Sequence, residues 1–204
     1  MNRATRAAAV ALGIYAGALA VLHGVFEVLQ GNLVPESSLI QAMGPACLPD
    51  TVWHACLPAF SLLPSFLWSG AAAIVLGLIL VAWSLLGSSG KWGAPLMLLL
   101  SAGLLPVGSG FVPVWIGLVA AAAAWQMRRT AAASSGAARF LARFWPGALL
   151  AQLAWFPGSW LVGALAPILM LRLGGVVFIL FDILLPLLTA ISAIAFDRVR
   201  RAAK

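Results

Sequence analysis

Charge is what this chain lacks most. Only 8% of its 204 residues are charged and five are acidic, against roughly 25% charged in a soluble domain. Polar surface so sparse cannot coat a water-soluble globule, and with 63% hydrophobic residues the chain belongs in a bilayer. Strands of a membrane barrel would alternate apolar and polar residues, and that alternation is missing too. The long stretches are apolar on all sides, and several reach the ~20 residues needed to cross ~30 Å of hydrocarbon. Helices are therefore predicted throughout: an all-α, polytopic membrane bundle. No Cys-x-x-Cys pair, phosphate-binding loop or phosphatase signature occurs, nor any repeat of 20–50 residues or low-complexity linker. One integral membrane domain over residues 1–204 is expected, in contact with the lipid bilayer.

Basic residues exceed acidic ones, twelve to five, for a net charge of +7. They lie at the ends of apolar spans, where topology signals sit, so nucleic acid is not the partner they indicate. The first span is read over about residues 7–30, followed by an outer loop at about 31–63 and a second span over 64–86. A Gly-Ser-Ser-Gly-Lys-Trp-Gly turn occupies 87–93. Residues 94–127 are too long for one straight helix, at about 51 Å, and Pro106, Gly108, Gly110 and Pro113 break their middle. They read as a hairpin of two short membrane segments, each about 12 to 15 residues, re-entrant or tilted. Two further spans, about 146–170 and 175–196, are expected to meet at Leu171-Arg172-Leu173-Gly174. This threading of six segments places eleven of the twelve basic residues and both termini in the cytoplasm, leaving Arg172 outside. Trp83, Trp92, Trp125 and Trp145 then form an aromatic belt at the cytoplasmic edge. Arg3, Arg6 and Ala18-Leu19-Ala20 resemble a signal peptide, but the apolar pattern runs on through Leu29, so the first helix is expected to be retained. A multi-pass protein of the cell (plasma or inner) membrane follows.

Against this background, His23 and Glu27 stand out, four residues apart in the first span. Such a pair shares a helix face, and ionisable groups at this depth usually face a protein interior or a water-filled cavity. Gln30 lies near the same face and Tyr15, the only tyrosine, about 80° away. Gly13, Gly17, Gly24 and Gly31 form a neighbouring stripe that suits close packing against another helix, in this chain or in another copy or partner. Asp182 interrupts the last span. Counted from ends near Gly31 and Gly174, His23 and Asp182 lie equally deep, about 12 Å, and Pro186 leaves the Asp182 carbonyl without its helical donor. An outward-facing intramembrane cluster of His23, Glu27 and Asp182, with Arg172 capping it, is the expected site. Pure helix-to-helix glue is the competing reading.

The outer loop holds both cysteines and the second histidine. A Cys47–Cys56 disulfide is expected if the loop faces an oxidising compartment, above a lid formed by the loop's apolar residues. His54 with His23, Glu27 and the cysteines has the side-chain types for zinc or copper, and two histidines could hold haem. No zinc spacing or haem attachment motif is present, so no cofactor is expected. Ser109 invites comparison with intramembrane serine proteases, but neither histidine lies on a late span, and a tight turn explains Gly108-Ser109-Gly110. Transport, or ion or proton handling, through the His/Glu/Asp cluster is the leading expectation. A membrane-embedded metal or haem redox protein or enzyme, and a structural accessory subunit, are the alternatives.

Overall fold

The computed structural model of the protein describes residues 2–41, 58–129, 132 and 135–203. Cys47, His54 and Cys56, and with them the disulfide and the loop's metal ligands, lie outside the described residues. The elements are α1 (Arg3–Leu29), β1 (Leu39–Gln41), β2 (Pro58–Phe60), α2 (Phe66–Leu86), α3 (Gly93–Gly103), α4 (Phe111–Gln126), α5 (Gly136–Ala142), α6 (Gly147–Leu165) and α7 (Pro167–Val177). A π-helical turn, Phe178–Leu184, carries α7 into α8 (Leu185–Ala202). Four helical stretches are long and apolar enough to cross a membrane: Arg3–Leu29, Phe66–Leu86, Gly147–Leu165 and Arg172–Ala202. Two shorter apolar helices, α3 and α4, accompany them.

The centre of the bundle is the antiparallel pair α1–α2, and glycine decides how closely they approach. Gly17 faces Gly77 and Gly24 faces Gly70, each pair seven residues apart on its own helix. A Cβ on any of the four would stand 2.4–2.7 Å from the opposing carbonyl oxygen. The backbones touch where side chains would normally intervene, which is how helices gain contact when lipid offers no hydrophobic drive. Of the stripe expected on the first helix, Gly17 and Gly24 are thus seated on glycines of the second, Gly13 meets Ser84 of α2, and Gly31 has no described atom within 4 Å. Alanines of α1 and α4, among them Ala16, Ala20, Ala120 and Ala124, extend the same close packing into the core.

α3 and α4 form the expected short hairpin. At about 16 and 24 Å neither covers ~30 Å of hydrocarbon. The tip between them is pinned by the segment that joins α1 to α2: Leu62 N–H donates to Pro106 O at 2.9 Å and Gly108 N–H to Phe60 O at 3.0 Å. β1 and β2 pair antiparallel, a small sheet that an all-α reading did not include. Their buried Ile40 and Ala59 pack on Leu22, Phe26 and Phe66.

At the opposite end the helix termini are tied together. Asp197 of α8 accepts from Thr5 N–H and Thr5 Oγ1, both at 2.8 Å, and from Ala4 N–H at 3.4 Å. It therefore satisfies donors that the first turn of α1 leaves open. The Asn2 amide donates to the carbonyls of Gln126, Met127 and Arg129, at the end of α4. Arg201 donates to Asn2 Oδ1 and Arg198 to Gln126 Oε1. The start of α1 and the ends of α4 and α8 thus meet at one end of the bundle.

The boundary expected at Leu171–Gly174 is corrected. The chain turns at Ala166 (φ −138°, ψ 60°), and Pro167 opens α7. Proline is favoured at a helix start, where its missing N–H has no partner to lose. Arg172 lies inside α7, exposed. Bonds from Thr189 Oγ1 to Ala148 O and from Trp155 Nε1 to Asp182 Oδ1 set the antiparallel register of α6 against this long helix.

Candidate functional site

The polar face of α1 is buried by the hairpin tip. His23 is 4% exposed and Glu27 fully buried, although Glu27 is less than one turn from the end of its helix. What covers them is Gly108-Ser109-Gly110. Gly108 and Gly110 have φ of +84° and +82°, a region that L-residues with a Cβ rarely adopt. Each is also pressed against one member of the pair. A Cβ on Gly108 would stand 2.6 and 2.7 Å from the Glu27 carboxylate oxygens, and one on Gly110 2.6 Å from His23 Cε1. Between them Ser109 Oγ, buried, donates to Leu104 O at 2.7 Å and closes the end of α3. The glycines expected to make a turn do so, and the turn's two open faces are the seats of Glu27 and His23. That second role was not foreseen.

Among the described residues the Ser69 hydroxyl is the one donor set against the Glu27 carboxyl group, and no backbone N–H reaches either oxygen. Ser69 of α2 is beside it, since the same Cβ on Gly108 would approach Ser69 Oγ to 2.3 Å. Ser69 Oγ also lies 2.9 Å from both Ser61 Oγ and Val107 O, so three acceptors share its single proton. Unsatisfied buried polar groups are scarce in native proteins and cost about 1–3 kcal/mol each.

His23 also borders a second environment. Together with Tyr15, Leu19 and Leu22 of α1 it lines a half-open cavity of about 360 Å³. The facing wall comes from α6 (Trp155, Phe156, Ser159, Trp160) and from the stretch Gly174 to Asp182. Asp182, 8% exposed, is the acid of this cavity. It sits on the π-helical turn, a local widening often found at functional sites. Pro186, at the start of α8, cannot donate to the preceding turn. The carbonyl there that takes an outside donor is that of Ile183, from Trp115 Nε1 at 3.2 Å, rather than the expected Asp182 carbonyl.

The equal depth expected of His23 and Asp182 rested on a helix end near Gly174, whereas the chain turns at Ala166. Asp182 is about 22 Å along its helix from Pro167, His23 about 9 Å from Leu29. The two nevertheless line one cavity. Glu27 is not on its wall, and Arg172 is not either. His23 is the member that meets the hairpin tip, as Glu27 does, and also lines the Asp182 cavity. Trp155, which holds Asp182 through its indole N–H at 3.0 Å and stacks on Phe181 at 4.1 Å, carried no sequence signal. Ser69 carried none either. Trp155→Phe is expected to lower stability by about 1–3 kcal/mol, because it keeps the stack and removes the only described donor to Asp182. Thermal unfolding in detergent measures it.

Among the described residues no three of His, Cys, Asp and Glu come together as metal ligands. No family model matches the chain, and neither a curated protein nor a solved structure shows significant similarity to it.

Proposed function

We propose that this membrane protein handles protons or small cations, with Asp182, His23 and Glu27 as successive polar stations, and that it lies in the cell membrane. In this reading six segments lie in the membrane, α3 and α4 being the short pair, and both termini face the cytoplasm. Support for the threading is the meeting of the start of α1 with the ends of α4 and α8. Those three ends carry Arg3, Arg6, Arg128, Arg129, Arg198, Arg200 and Arg201, so one pole of the bundle is basic, as a cytoplasmic pole should be. The β-hairpin then caps the outer pole.

The observation that carries the function is Glu27: a fully buried carboxyl group in a membrane-length helix, with the Ser69 hydroxyl as its one described donor, beneath a glycine tip shaped around it. Structural glue would be expected to spend its oxygens on donors of a neighbouring helix, as Asp197 does. A buried carboxyl group served by one shared hydroxyl proton is instead suited to accept a proton or cation when one arrives. His23, between Glu27 and the open cavity, is the group through which it would arrive.

Proteoliposomes test this. An imposed gradient of protons or of an alkali cation should drive flux through the native protein, and Glu27→Gln and Asp182→Asn should abolish it at unchanged folded yield. If the native protein conducts none of these ions, or if Glu27→Gln conducts as the native protein does, the reading fails.

A further inference from the structure

The cavity beside Asp182 has a composition of its own. Among the described residues five aromatic side chains wall it, Tyr15, Trp155, Phe156, Trp160 and Phe178, and Asp182 is the one acidic group. No lysine or arginine among the described residues lines it, and of these residues His23 is the only basic side chain on the wall. The rings are held in place. Tyr15 meets Phe156 edge-on at 5.5 Å, Trp160 lies parallel to Phe26 at 6.4 Å, and Trp155 is fixed by its stack on Phe181 and its bond to Asp182. That bond engages Asp182 Oδ1 and leaves the second oxygen without a described donor.

From these facts we infer that the cavity binds a lipophilic organic cation, a quaternary ammonium or phosphonium bearing rings, with its charge set against Asp182 and its substituents among the aromatic side chains. Aromatic faces attract cations, most strongly where water is excluded, and an acid in a membrane bundle calls for a counter-charge. A bare metal ion is poorly served, because hard cations want six or more oxygen ligands and the wall offers one carboxylate. A neutral hydrocarbon would leave Asp182 uncompensated. The volume, about 360 Å³, falls within the range of small-ligand sites. Gly175 is an exposed residue of the lining, and no described atom lies within 4 Å of where its Cβ would stand. The inference builds on the proposed role of Asp182 in cation handling and names the cation's class.

Tetraphenylphosphonium binding to the detergent-solubilised protein, read with an ion-selective electrode, tests it, with triphenylphosphine oxide as the uncharged competitor. The native protein should bind the cation saturably, and the uncharged compound should fail to displace it. Asp182→Asn should weaken binding about tenfold or more. Gly175→Leu, which narrows the cavity without touching the acid or any packed neighbour, should weaken it as well. Absence of saturable binding, equal binding by Asp182→Asn, or displacement by the uncharged compound each overturns the inference; the last would make the cavity a niche for lipid or any apolar molecule. Inorganic ion flux that needs Glu27 but no phosphonium binding would overturn this inference alone. Phosphonium binding without any ion flux would sustain it and overturn the ion-handling reading.

Discussion

Gly70→Ala is expected to destabilise the protein by about 3 kcal/mol or more. Overpacking of a tight core costs typically about 1–3 kcal/mol, because neighbours shift to make room. Here the neighbours have no rotamer to shift. The added methyl would meet Gly24 O at 2.4 Å and Val28 N at 2.7 Å, both backbone atoms, so α1 and α2 would have to separate along their whole seam. Gly158→Ala is the matched control: it lies within α6, and nothing is within 4 Å of its Cβ position. That change should stabilise by about 0.5–1 kcal/mol, since alanine is the better helix former. Unfolding in detergent should separate the two variants clearly. Equal stability for both would mean that the two helices do not touch through their glycines.

Asp197→Ala should cost about 2–4 kcal/mol. One carboxylate serves two backbone N–H groups and a hydroxyl at the start of α1, and hydrogen bonds to charged groups contribute about 1.5–3 kcal/mol each before sharing. Its removal leaves the donors of Ala4 and Thr5 buried with nothing in exchange. It also deletes a negative charge from a helix N-terminus, worth a further ~0.3–1 kcal/mol. Thr5→Val, which deletes one donor and leaves the acceptor occupied by the others, should cost only about 1 kcal/mol. The same unfolding assay checks this order, and a Thr5→Val loss larger than that of Asp197→Ala would contradict it.

These two sites show what a sequence can disclose about a membrane bundle. Glycines at helical spacing on α1 were legible because periodicity within one helix fixes a face. Their counterparts, Gly70 and Gly77, carry the same spacing, but nothing in a linear sequence says which two stripes meet. Asp197 was hidden for another reason. It stands among Arg198, Arg200 and Arg201, where an acid reads as local charge balance, whereas its partners are 192 and 193 residues away. The hairpin at 94–127 could be inferred from breakers alone, yet the fit of Gly108 to Glu27 depends on how far the tip reaches. The turn between the last two spans was misplaced because Gly174-Gly175 looks like a loop. A helix already held on both sides tolerates those glycines, whereas Ala166-Pro167 supplies a residue out of helical conformation followed by a natural helix start.

The tie between Asp197 and Thr5 also sets an order in time. A chain is made from its first residue onward, so α1 is in place long before the carboxylate that completes its first turn has been synthesised. Throughout that interval the N–H groups of Ala4 and Thr5 must rely on water or lipid headgroups. The arrival of α8 both finishes the bundle and closes its beginning, so a chain stalled before residue 197 would have an unfinished first helix as well as a missing last one.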